Sequence, residues 1–99
     1  MNRFFITGTL VEISEKSTAN GMLFTRITVE ESGATTFTDG KLPYFQILIK
    51  GNFRDLFNSI GFVEGDTIAV DGKIFVHEGK LTLYGGSFAR ITRSQFEES

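Results

Sequence analysis

Apolar and polar residues alternate with a period of two over most of this sequence, and with a helical period once. Residues 22–30 show the alternation best. Leu23, Thr25, Ile27 and Val29 share one face, while Phe24, Arg26, Thr28 and Glu30 share the other, as successive side chains of a strand do. Residues 43–50 repeat the pattern. Phe45, Ile47 and Ile49 take one face, and Tyr44, Gln46, Leu48 and Lys50 the other. Pro43 fits the start of that strand, where a missing N–H is tolerated. Ahead of both, residues 3–13 read as a first strand in which Gly8 marks a bulge or bend. Residues 17–21 form the turn after it, with Asn20-Gly21 as the hairpin signal. A long polar loop, residues 31–42, separates the second and third strands.

The period then changes. Phe53, Leu56, Phe57 and Ile60 recur at i, i+3, i+4 and i+7, one apolar face of a short helix. Asn52 is placed to cap its start and Gly61 to end it. A Phe-rich face of this kind is suited to plugging the bottom of a barrel. After the turn Glu64-Gly65-Asp66, a fourth strand starts at Thr67, with Ile68 and Val70 inward. It passes Gly72 and continues to His77. Glu78-Gly79-Lys80 is a hairpin turn, residues 81–84 a fifth strand, and residues 87–93 a last segment beyond Gly85-Gly86.

The order β-β-β-α-β-β, with the one helix between the third and fourth strands, describes an all-β OB fold, a five-stranded Greek-key barrel. An SH3-like barrel is the second reading, disfavoured by a two-turn amphipathic helix at that place. Residues 1–93 form the expected domain and residues 94–99 a short polar tail.

Composition narrows the function classes. The 99 residues bound one domain with one modest core. No apolar run approaches the roughly 20 residues of a membrane span, and the N-terminus reads as a strand, so a cytoplasmic location without membrane contact is expected. With no cysteine, disulfides and thiolate zinc sites are excluded. His77 is the only histidine, which leaves no His-based metal site and no two-histidine catalytic arrangement. The carboxylates Asp39, Glu64, Asp66 and Glu78 fall in turns, where local hydrogen bonding explains them. No phosphate-binding glycine motif occurs. No enzyme, metal or cofactor is therefore expected. The net charge of -2 counts against a strongly electrostatic ligand surface, although the distribution of charge matters more than its sum.

The outward faces carry the candidate chemistry. Phe24 and Arg26 of the second strand, Tyr44, Gln46 and Lys50 of the third, and Lys73, Phe75 and His77 of the fourth interleave aromatics with polar and basic groups. Aromatic faces stack unpaired bases at about 1–3 kcal/mol each, and cations track phosphates. Phe24 and Phe75 have a second reading, as packing against a partner subunit or a loop, and His77 reads as a strand-end surface residue.

Four segments, in order, resemble a known family. They are Asn2-Arg3-Phe4-Phe5-Ile6-Thr7-Gly8-Thr9-Leu10, then Asn20-Gly21 with Phe24-Thr25-Arg26-Ile27-Thr28-Val29. Tyr44-Phe45-Gln46-Ile47-Leu48-Ile49-Lys50-Gly51-Asn52 and Gly65-Asp66-Thr67-Ile68-Ala69-Val70-Asp71-Gly72-Lys73-Ile74 follow. Together they resemble the opening strand, glycine turn, aromatic third strand and fourth strand of the bacterial and phage single-stranded DNA-binding proteins. The likeness runs from residue 2 to about residue 93. It is greatest to compact, tail-less members similar to primosomal replication protein N.

The resemblance implies sequence-independent binding of single-stranded DNA in replication, recombination or repair. It puts Tyr44 at the position of a base-stacking tryptophan. Gln46, Phe75, His77 and Arg3 fall at basic positions, and Lys50 at a position often held by a stacking phenylalanine. It also implies a homo-oligomer, dimer or tetramer. Phe4, Phe5 and Ile6 would lie at a first-strand interface, and Phe45 at a position that affects tetramer assembly.

Two features depart from the family. The hairpin at Glu78-Gly79-Lys80 is short and lacks a tryptophan, and Phe96-Glu97-Glu98 is at most a remnant of the acidic tip that docks replication and repair proteins. Weaker DNA binding and little partner recruitment are expected in consequence. The alternative function is an OB-fold protein-interaction module of a primosome or phage replication complex. A cold-shock-like RNA-binding domain would carry denser aromatic motifs on strands two and three.

Overall fold

The computed structural model describes residues 2–31 and 44–92. The polar loop from residue 32 on, Pro43, Arg93 and the expected tail 94–99 lie outside the described residues. The elements are β1 (Arg3–Ser17), β2 (Leu23–Glu31), β3 (Tyr44–Lys50), α1 (Asn52–Ile60), β4 (Thr67–His77) and β5 (Lys80–Ile91). The strands close into a barrel in the order β1-β2-β3-β5-β4. All neighbours are antiparallel except β3 and β5, which pair in parallel through Ile47↔Leu83 and Leu48↔Tyr84. This is the OB architecture expected from the element order, not the SH3-like alternative.

The period-two pattern sorts the faces. Ile27 and Val29, Ile47 and Ile49, and Ile68 and Val70 are fully buried, and Ile6, Leu10 and Leu83 join them inside the barrel. Two bulges keep this sorting consistent. Val11 is the extra residue between the pairs Leu10↔Val29 and Glu12↔Thr28. It turns Glu12 outward and returns Ile13 to the core side. Gly86 is the extra residue between Asp71↔Ser87 and Gly72↔Gly85. It turns Phe88 inward, where the ring packs on the core.

The last segment is therefore not separate. β5 runs unbroken through both glycines, because a bulge accommodates them without ending the pairing. β1 is likewise longer than the expected 3–13, since its second half pairs with β2 as far as Ser17↔Leu23.

At two glycines the strands approach too closely for any side chain. A Cβ on Gly8 would lie 2.1 Å from the Glu30 carbonyl oxygen, and one on Gly72 would lie 1.9 Å from the Tyr84 carbonyl oxygen.

The helix departs from its expected role. Asn52 is its first residue rather than its cap. Gly51 occupies the cap position with no side-chain hydrogen bond, while Gly61 ends the helix in the left-handed conformation, φ 77°. Only part of the apolar face plugs the barrel. Phe57 is buried, stacked on Phe62 at 5.1 Å and edge-on to Phe88 at 5.3 Å, and Ile60 packs beside it. Phe53 and Leu56 stay 51% and 46% exposed, so Phe57 is the one residue of the helix that is fully inward.

Arg90 of β5 supplies what the helix lacks at its end. Its guanidinium donates to the carbonyls of Ile60 (3.3 Å) and Gly61 (2.8 Å) and to the Asp66 carboxylate (3.2 Å), and stands over the Phe62 ring. A cation at a helix C-terminus complements the macrodipole.

Candidate nucleic-acid interface

The outward side chains of the barrel form a row defined by register. Arg26 stands opposite Leu48, Leu48 beside Tyr84, Tyr84 opposite Lys73, and Lys73 opposite Arg3. Phe24 pairs with Lys50 one step along the same sheet. Lys50 Nζ lies 4.5 Å over the Tyr84 ring, and Phe75 meets that ring edge-on at 5.4 Å.

Two shallow grooves flank this cluster. One, of about 300 Å³, lies between Met22, Leu23, Phe24 and Leu48, and the other, of about 330 Å³, between Arg3, Lys73, Phe53 and Phe75. Lys50 and Tyr84 line both. The first groove is apolar but for Thr18 and Lys50. The second carries three cations and the single carboxylate of Asp71.

The electrostatics favour an anionic ligand on this side. Among the described residues Lys50 and Lys73 have no carboxylate partner, and Arg3 meets Asp71 only at 3.7 Å across an exposed gap. Exposed pairs of that kind are worth about 0–1 kcal/mol, so a phosphate competes with Asp71 at little cost. The cation–π contact of Lys50 with Tyr84 is similarly weak, about 0.5–1 kcal/mol at an exposed site. A stacked base, at about 1–3 kcal/mol, outweighs it.

The acidic groups that are tightly held lie elsewhere. Arg54 and the buried Thr25 hydroxyl both donate to the Glu15 carboxylate, and these bonds hold its pKa below the usual carboxylate range. Asp66 is also lowered, first by the Val63 N–H at 3.0 Å and then by Arg90.

Of the residues expected from the sequence, the structure brings together Arg3, Phe24, Lys50, Lys73 and Phe75. Arg26 is in the row, but its guanidinium turns to Glu12 on β1 at 3.9 Å. Tyr44 and Gln46 lie towards the other end of β3, opposite Glu30 and Thr28, and line neither groove. His77 stands 86% exposed at the hairpin tip beside Glu78.

Several groove residues were not expected, among them Met22 and Leu23 at the start of β2 and three more. Tyr84 was legible only as the end of a short fifth strand, Leu48 as an inert neighbour, and Phe53 as part of the helix core face. For Tyr84 the signal was the alternation Leu83-in, Tyr84-out.

The expected oligomer residues divide. Phe5 points outward, 71% exposed, while Phe4 and Phe45 pack partly buried against the core. Ile6, at 8% exposure, faces the barrel interior, two residues from Gly8 on the inward face.

Among the described residues no group of three His, Cys, Asp or Glu side chains is placed to hold a metal ion, and no helix is long and apolar enough to cross a membrane.

Neither a protein-family model nor a curated protein matches the sequence. Solved structures do match the fold. The mitochondrial single-stranded DNA-binding protein of S. cerevisiae is 16% identical, with a TM-score of 0.72 over 91% of this chain and 93% of that one. The small single-stranded DNA-binding protein of Streptomyces coelicolor is 18% identical, with a TM-score of 0.67 over 92% and 95%. The N-terminal domain of PriB from Thermoanaerobacter tencongensis, a dimeric structure, is 16% identical, with a TM-score of 0.67 over 93% and 98%. Across nearly its whole length, then, the chain has the OB fold found in single-stranded DNA-binding proteins and in PriB.

Proposed function

We propose that this chain binds single-stranded DNA without sequence preference and acts in replication, recombination or repair. One observation carries the reading. Aromatic and cationic side chains adjoin across neighbouring strands: Phe24 stands opposite Lys50, Lys50 lies over Tyr84, Tyr84 stands opposite Lys73, and Lys73 opposite Arg3. Stacking needs only the π-face common to every base, and it needs bases that are unpaired. Neighbours that share the fold at TM-scores near 0.7 are described as binding single-stranded DNA, which supports the same ligand here.

The test is fluorescence anisotropy of a labelled dT oligomer of about 30 nucleotides, longer than the ~4–16 nucleotides one OB fold covers. It is run at low and high salt against a duplex control. Binding that weakens with salt and spares the duplex is the expected result. No binding at low salt sinks the proposal.

A protein-contact role has its own observation. Val76 and Leu81 face each other across the β4–β5 hairpin, 60% and 65% exposed, and Phe5 is exposed on β1. We assign these residues to contacts between copies in a homo-oligomer. Sedimentation velocity checks this directly. A dimer or tetramer that Phe5→Glu or Leu81→Glu dissociates supports it, and a monomer at tens of micromolar overturns it.

A further inference from the structure

We infer that Tyr84 is the central base-stacking residue of this surface, and that the strand crosses it from an apolar base groove to a cationic phosphate groove. The inference rests on the single-stranded DNA reading and assigns its subsites. Tyr84 and Lys50 are the residues common to both grooves, so a ligand that occupies both must pass over them.

The two sides differ in chemistry. Towards β2, Met22, Phe24 and Leu48 make a wall suited to a nucleobase, and Lys50 is its only charge. Towards β4 and β1, Arg3 and Lys73 stand beside the pair, suited to the phosphates that flank a stacked base.

The ring is already positioned. Phe75 holds it edge-on, and the parallel pairing of Leu48 with Tyr84 fixes its strand. The close approach of Gly72 to the Tyr84 carbonyl sets its height on the sheet. A held ring loses little freedom on binding. Lys50 covers the ring in the free protein. A base takes its place on the π-face and leaves the ammonium beside a phosphate, so the contact is exchanged rather than lost.

Among the described residues, nothing comparable surrounds Tyr44. It stands four residues along β3 from Leu48, opposite the Glu30 carboxylate, and lines neither groove. The stacking role that the sequence resemblance gives to Tyr44 therefore belongs to Tyr84.

The chain has two tyrosines and no tryptophan, so its intrinsic emission reports on these two residues. Tyr44→Phe leaves Tyr84 as the emitter, and Tyr84→Phe leaves Tyr44. Each variant is titrated with unlabelled dT oligomer, while its affinity is measured separately by anisotropy. Strong quenching in Tyr44→Phe and little in Tyr84→Phe is expected. Tyr84→Leu, which keeps bulk without a π-face, should weaken binding about 10-fold, and Tyr44→Leu should weaken it by less than about threefold.

Unchanged Tyr84 emission in a Tyr44→Phe variant that still binds dT overturns the inference and leaves the DNA-binding reading standing. So does wild-type affinity in a Tyr84→Leu variant whose circular dichroism is native. Absence of dT binding by the unsubstituted protein overturns both.

Discussion

At the residue scale, a few atoms decide both stability and the form of the surface. Gly72→Ala places a methyl 1.9 Å from the Tyr84 carbonyl oxygen, against backbone that cannot swing away. The strands must part, at about 3 kcal/mol. Urea denaturation should show that loss, whereas Gly79→Ala, in open space but at φ 78°, should cost about 1 kcal/mol.

Glu15 sets a pH dependence. Its carboxylate pKa is depressed in the folded protein by the hydrogen bonds from Arg54 and Thr25. A depressed acid contributes stability above its unfolded pKa and loses it as pH falls through the folded value. The loss therefore lies below about pH 4. Glu15→Gln should lower stability at neutral pH and flatten its fall on the acid side, read as Tm against pH.

The residue scale is also where sequence reading was least complete. Thr25 read as one polar residue on an apolar face. Only the folded chain brings Arg54, 39 residues from Glu15 in sequence, to the carboxylate that accepts from the Thr25 hydroxyl.

At the element scale, the helix separates two roles that one apolar stripe combines in the sequence pattern. Phe57 and Phe53 share a face by spacing, yet Phe57 is buried and Phe53 is half exposed in a groove. Phe57→Ala should destabilise by about 3–5 kcal/mol in chemical denaturation. Phe53→Ala should leave stability within about 0.5 kcal/mol and act on ligand affinity instead. Helical periodicity identifies the stripe. How much of it is covered is decided by how the helix docks on the barrel, where Arg90 ties its C-terminal end at Gly61 to Asp66. Arg90→Met should lower Tm by roughly 5 °C, since it removes the guanidinium from the helix C-terminus while keeping bulk over Phe62.

At the scale of the whole molecule, closure gathers charge that the total conceals. A chain of net charge -2 presents Arg3, Lys50 and Lys73 on one side, while Glu12 and Glu30 lie nearer the β1–β2 side. Three phosphate contacts predict a slope of about -2 for log affinity against log salt with a single-stranded ligand. Lys73→Ala should reduce that slope by about 0.7, measured in the same anisotropy titrations. A slope near zero would remove phosphate from the account of this face.

The sequence by itself determined the strand faces, the place of the helix and so the barrel, because periods of two and of 3.6 are local and survive without tertiary context. It also identified most cations and aromatics of the surface, since outward parity follows from inward parity. The tertiary structure decided which of these meet. β3 and β5 are adjacent only through a parallel pairing, and nothing local in either strand signals it, so Tyr84 joins Lys50 and Phe75 only on closure. The bulge at Gly86 kept β5 running past a pair of glycines that read as a stop. Closure also decided which of three consecutive apolar residues faces out: Ile6 is buried in the barrel, Phe4 is partly buried against the core, and Phe5 is exposed.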